Sequence, residues 1–136
     1  MKATELQIGD LIKIKGHLDY DKVQEIARDE NMQWYISFAC SAVLFRAYEF
    51  EPIPLTPEIL EKNGFGFVKS SDRDSVWNGW WINRGLELAT ACLDKEGNWP
   101  CYINIYDSNI KCEYVHQLQH ALRLCKLDEL ADNFKV

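Results

Sequence analysis

Residues Glu51 to Phe65 read EPIPLTPEILEKNGF, and this stretch divides the chain into what comes before and after it. Pro52, Pro54 and Pro57 restrict the backbone to extended geometry ahead of a helix. Thr56 stands where an N-cap belongs, Pro57 suits the first helical position, and Glu58 complements the positive helix end. Asn63-Gly64 then supplies a left-handed stop. The spacing predicts a short helix over 57–63 behind a stiff connector. The stretch organises a fold and carries no chemistry.

Working outward toward the N-terminus, Ile8-Gly9-Asp10 reads as a turn into a strand. Ile12 and Ile14 there alternate with Lys13 and Lys15, up to Gly16. Residues 17–31 are ambiguous, because Val23 and Ile26 are spaced as on a helix while the composition also allows a strand. Trp34, Ile36, Phe38 and Cys40 alternate with Tyr35, Ser37 and Ala39, and Val43 to Phe50 reads as a returning strand. A small, curled antiparallel sheet of SH3-like type accounts for this half.

Beyond the connector, strands are expected at Phe65–Lys69, Val76–Ile82, Leu86–Cys92 and Tyr102–Tyr106, with polar turns at 70–74 and 94–98. A helix is expected from about Lys111 to Lys126. Tyr114, Val115, Leu118, Ala121, Leu122 and Cys125 form its apolar stripe, the pattern of a helix packed on a sheet. The order strands, helix, strands, helix gives an α+β protein. We read residues 1–136 as one domain with a β lobe over 1–53 and an α+β lobe over 54–136.

Composition narrows the function. Fifteen basic against twenty-one acidic residues leave a formal net charge of −6. That balance opposes long nucleic acids and anionic membranes, which demand many neutralised phosphates. The N-terminus lacks the apolar run of a signal peptide, and no segment approaches the roughly 20 apolar residues of a membrane span. Five scattered cysteines, Cys40, Cys92, Cys101, Cys112 and Cys125, read as reduced core thiols of a cytoplasmic protein.

Candidate chemistry is sparse. Cys112, His116 and His120 are spaced four apart on the expected last helix, but zinc takes three or four ligands, and helical geometry turns both histidines to solvent. Asp72, Asp74, Glu87 and Asp107 lie near strand ends without a fixed separation, so no catalytic residue, metal or cofactor is assigned. The informative segment surrounds the tryptophans, four of five of which fall between Trp77 and Trp99. Trp80, Trp81, Arg84, Arg73 and Asn78 combine flat aromatics with guanidinium and amide groups, the parts of a base-stacking, phosphate-holding pocket. Core packing and a subunit interface are the competing uses of such aromatics, with a homodimer the first expectation.

The blocks EPIPLTPEILEKNGF (51–65) and EYVHQLQHALRLC (113–125) resemble a family of small uncharacterised proteins carried by Bacteroidales bacteria, their prophages and mobile elements. The opening Leu6-Gln7-Ile8-Gly9-Asp10-Leu11 is also similar to that family's start. Relatives often place Gly after the helical Leu-Arg-Leu-Cys. Lys126 stands there in this chain, so the helix is expected to continue. The resemblance carries no activity over to any residue. It implies a phage-borne, non-enzymatic protein of the bacterial cytoplasm that binds something of the host's. The first expectation is a small nucleotide-like ligand such as a defence signal. The alternative is a host protein engaged through the Trp/Arg-rich face, and an enzyme acting on a nucleotide through those carboxylates comes third.

Overall fold

A computed structural model describes residues 2–39, 41–69, 78–84, 87–92, 101–105 and 108–136. The connector behaves as its chemistry dictates. Helix α1 spans Pro57–Lys62, with Thr56 extended at the N-cap and its hydroxyl accepting from the Ile59 N–H at 3.4 Å. Gly64 follows at φ +82°. Phe65 N–H donates to the Leu60 carbonyl and Gly64 N–H to that of Glu61, the double closure of a Schellman stop. Asn63 does more than end the helix. Its buried amide donates to the carbonyls of Ile59 and Lys135, both at 2.7 Å, and accepts from the Lys135 N–H at 2.8 Å. The C-terminal segment is thereby tied to α1.

The chain divides into two units, Met1–Ile53 and Pro54–Val136. In the first, β1 (Leu11–Ile14), β2 (Tyr20–Arg28), β3 (Trp34–Phe38), β4 (Ser41–Arg46) and β5 (Phe50–Glu51) form one antiparallel sheet in the order β4-β3-β2-β1-β5. A meander whose last strand returns beside its first, through a 3-10 turn at Ala47–Glu49, is SH3-like connectivity. The single return strand expected over 43–50 is thus two strands broken by that turn. The ambiguity at Val23 and Ile26 also resolves. Val23 pairs Phe38 and Ile26 pairs Ile36, with a bulge between Val23 and Glu25. One inserted residue converts a strand period of two into an apparent helical three. The core gathers Ala3, Leu6, Ile12, Val23, Ile36, Phe38 and Phe50. Phe38 meets Phe45 and Phe50 edge-on, each at 5.5 Å between centroids.

The second unit carries β6 (Gly66–Lys69), β7 (Asn78–Arg84), β8 (Glu87–Cys92), β9 (Cys101–Ile105) and β10 (Ser108–Cys112), antiparallel throughout in the order β10-β9-β8-β7-β6. Helices α2 (Val115–Leu124) and α3 (Asp128–Asp132) follow, and α2 lies against β10. The fold is α+β.

Two expectations change here. Lys111 and Cys112 belong to β10, so the helix starts only after Tyr114. Buried Cys112 and Val115, three apart, mimic a helical stripe although one ends a strand and the other begins a helix. At the other end Lys126 does not continue the helix. It takes φ +59°, and Leu127 N–H closes onto the Leu122 carbonyl at 2.9 Å, a Schellman stop formed by a lysine. The residues beyond it then fold back as α3, where the buried Gln119 amide donates to the Ala131 carbonyl at 2.8 Å. Pro54 bridges Tyr114, and Leu55 N–H donates to the Glu113 carbonyl at 3.0 Å, which fixes the connector beside the start of α2.

Candidate functional site

Strand β7 lies second from one edge of its sheet and carries four of the five residues singled out in the sequence, Asn78, Trp80, Trp81 and Arg84. Arg73 lies outside the described residues, as do Val76, Trp77, Trp99, Asp72, Asp74 and Asp107. Because neighbours along a strand alternate between faces, Asn78, Trp80 and Arg84 share one face and Trp81 occupies the other.

The register shows what each position has beside it. Trp80 stands in a row running Phe67, Trp80, Ala91, Ile103, Ile110 across all five strands. That row is apolar throughout. Ile82 shares its face and is 4% exposed, and Cys112, two residues along from Ile110, is buried. The Trp80 face is therefore the one that receives the core of this unit. Trp81 stands in the opposite row, Gly66, Trp81, Thr90, Asn104, Asn109. Apart from the indole, every position in it is glycine, hydroxyl or amide. Lys111, on the same face, is exposed. Arg84 pairs with Glu87 at the β7–β8 end. By register and strand period, Trp81 thus belongs to a different row and face from Trp80, Asn78 and Arg84.

Helix α2 corrects the reading of the histidines. Cys112 is on β10, off the helix altogether. His116 is 4% exposed instead of facing solvent, and His120 is half-buried. The His116 ring stacks on Tyr114 at 5.9 Å and 9°, and meets His120 edge-on at 5.9 Å. Helix α3 returns alongside α2, with the Gln119 amide donating to the Ala131 carbonyl, so α2 packs against more than the sheet. Among the described residues no three His, Cys, Asp or Glu side chains converge on a common point. Burial pushes the Cys112 thiol up to about 12, so it is a packing residue and not a nucleophile. At α1, the Glu58 backbone N–H and the Thr56 hydroxyl hold the Glu58 carboxyl below its ordinary value, the expected electrostatics of a capped helix start.

One cluster was missed from sequence. Arg28 pairs with Trp34 across β2 and β3, and its guanidinium carbon sits 4.2 Å from the centre of the indole. Tyr35 pairs with Arg46 on β4. A groove of about 340 Å³ runs between them, lined by Arg28, Asp29, Glu30, Tyr35, Leu44 and Arg46 with Trp34. No local signal marked it, because Arg28 and Arg46 stand six residues before and twelve after Trp34, and β2 had to be recognised as a strand before Arg28 could be placed opposite the indole. No protein-family model, curated protein or solved structure matches this chain.

Proposed function

We propose that this chain is a non-enzymatic binding protein of phage or mobile-element origin that sequesters a small, planar, anionic ligand of nucleotide type, such as a host defence signal. The observation that supports the reading is the cross-strand row holding Trp81 among Gly66, Thr90, Asn104 and Asn109 on the face opposite the core. An indole on a sheet is a platform for one base, and adjacent hydroxyls and amides supply donors and acceptors for its edge. Trp81 is the stacking residue in this proposal. Asn78, Trp80 and Arg84 fall on the other face of the strand and take no part in stacking at Trp81. The acidity of the chain, −6 overall, fits one locally held small anion better than a polyanion.

Calorimetric titration with a panel of linear and cyclic nucleotides, alongside mass spectrometry of co-purified ligand, tests the proposal. Stacking contributes ~1–3 kcal/mol per base, so Trp81→Ala should weaken binding by about ten- to a hundredfold. Arg84→Lys, on the other face of the strand, should leave binding unchanged. The ligand should be recovered chemically intact. Altered ligand would move the protein into the enzyme class.

A second reading, a host-protein interaction module, draws on the apolar row. Phe67 is 46% exposed on edge strand β6, and Ile110 is exposed on the opposite edge, β10. A symmetric dimer is the simplest cover for such edges. Capture of one host protein by the wild type, lost on Phe67→Lys and on Trp80→Ala while no nucleotide binds, would favour it. Light scattering at micromolar concentration separates a dimer from a 15.9 kDa particle.

A further inference from the structure

The groove at Arg28, Trp34 and Arg46 in the first unit makes no use of β7 and needs a reading of its own. The Arg28 guanidinium carbon lies over the Trp34 indole, 4.2 Å from its centre. Stacking engages the face of a guanidinium and leaves its N–H donors in the plane unspent, so the group is pinned but still able to donate. The Arg46 guanidinium has two contacts among the described residues, both long. Asp29 Oδ2 is 3.9 Å from one guanidinium nitrogen, and Gln33 Oε1 is 3.5 Å from the other. Asp29 cannot close on it, because its other oxygen accepts from the backbone N–H of Asn31 at 2.9 Å and of Gln33 at 2.8 Å, which holds the β2–β3 turn. Two guanidiniums therefore line one groove, and among the described residues no carboxylate is at hydrogen-bonding distance from either, in a chain that is acidic overall.

We propose that this groove binds a small planar ring carrying a phosphate or a carboxylate. The anion is held by Arg28 and Arg46, and the ring rests against Tyr35 and Leu44, the latter 57% exposed. The groove volume of about 340 Å³ falls in the small-molecule range of roughly 300–1,000 Å³. Charge decides the class further. Asp29 and Glu30 at the rim balance Arg28 and Arg46, so Coulomb attraction alone does not retain a free anion. The directed N–H donors and the ring contact must act together. Phosphate esters and carboxylates of aromatic rings meet both conditions, and inorganic phosphate meets only one.

The probes are phenyl phosphate, benzoate and inorganic phosphate, added to full-length protein and followed in nitrogen–proton correlation spectra. The reporters are the indole N–H of Trp34, assigned from the Trp34→Phe spectrum, and the Nε–H groups of Arg28 and Arg46. Phenyl phosphate or benzoate should shift all three, and the stronger of the two identifies the anion. Inorganic phosphate should need about tenfold higher concentration. Arg28→Gln and Arg46→Gln are surface changes that leave the fold in place, and each should weaken the ring anion about tenfold. Trp81→Ala should leave these shifts unaltered. Absence of shifts with both ring anions at millimolar concentration overturns the proposal. So does inorganic phosphate binding as well as they do, or full binding by Arg46→Gln. If phenyl phosphate perturbs only the Trp81 region, this groove is refuted while the sheet-face reading stands.

Discussion

Replacing Asn63 tests how the second unit is closed. Its amide makes three hydrogen bonds, to the Ile59 carbonyl at 2.7 Å, to the Lys135 carbonyl at 2.7 Å and from the Lys135 N–H at 2.8 Å. Each such bond is worth about 0.5–1.5 kcal/mol net. Lys135 is exposed, so water recovers part of the loss at its backbone. Asn63→Ala should therefore cost about 2 kcal/mol, near the lower end of the sum. Asn63→Asp should cost more. It keeps the acceptor for Lys135 N–H but sets a second carboxylate oxygen against two carbonyl oxygens, where the amide had donors. Protonation would restore one donor, so the carboxyl at residue 63 should have a raised folded value. A carboxyl that holds its proton more tightly when folded makes stability fall as pH rises from about 4 through that folded value. Urea unfolding of the three proteins at pH 4 and pH 7 provides the measurement. An Asn63→Ala cost below about 0.5 kcal/mol would refute the clasp. An Asn63→Asp variant no worse than Asn63→Ala at pH 7 would refute the assignment of donor and acceptor.

Other outcomes follow from the helices. Lys126→Gly should raise stability by up to about 1 kcal/mol in urea melts, since a left-handed non-glycine costs roughly 1–2 kcal/mol and glycine returns part of that as chain entropy. Leu118→Ala should cost ~2–5 kcal/mol as a core truncation. His116→Ala, at a buried ring, should cost about 1–3 kcal/mol and not behave as a surface change. Cys112 should resist alkylation in the native state and react once urea exposes it. Because its folded value is raised to about 12, its contribution is complete below the unfolded thiol value and is lost as pH climbs from about 9 toward 12. Alkaline unfolding should therefore begin later in Cys112→Ala, if that variant folds at neutral pH.

Legibility of the fold in the sequence tracked how local the determining physics was. Helix α1 could be read to within one residue, because Thr56, Pro57, Asn63 and Gly64 each act on their own backbone or within one turn. The alternation of Trp34 to Phe38 and of Glu87 to Cys92 was equally plain. Strand β2 was obscured by a bulge that shifts its period, a consequence of pairing with β3 that no local pattern announces. The short strand at Ser108–Cys112 and the burial of His116 were hidden for a related reason. The strand depends on the chain returning to pair with β9, and the burial of His116, whose ring stacks on Tyr114, is a tertiary outcome that helical period alone does not give. The site divided the same way. The opposition of Trp80 and Trp81 along one strand follows from period alone, but which face meets the core required the burial of Ile82 and Cys112. The Arg28–Trp34 stack joins residues on two strands, and only the register brings them together.

In the proposed function a planar anionic ligand stacks on Trp81 and leaves unchanged. The most direct measurement is calorimetric titration of wild type and Trp81→Ala with the nucleotide panel, followed by mass spectrometry of the recovered ligand. The account predicts saturable binding to the wild type, a loss of about ten- to a hundredfold in Trp81→Ala, and ligand of unaltered mass. Equal affinity in the two proteins, or a ligand whose mass has changed, would contradict it.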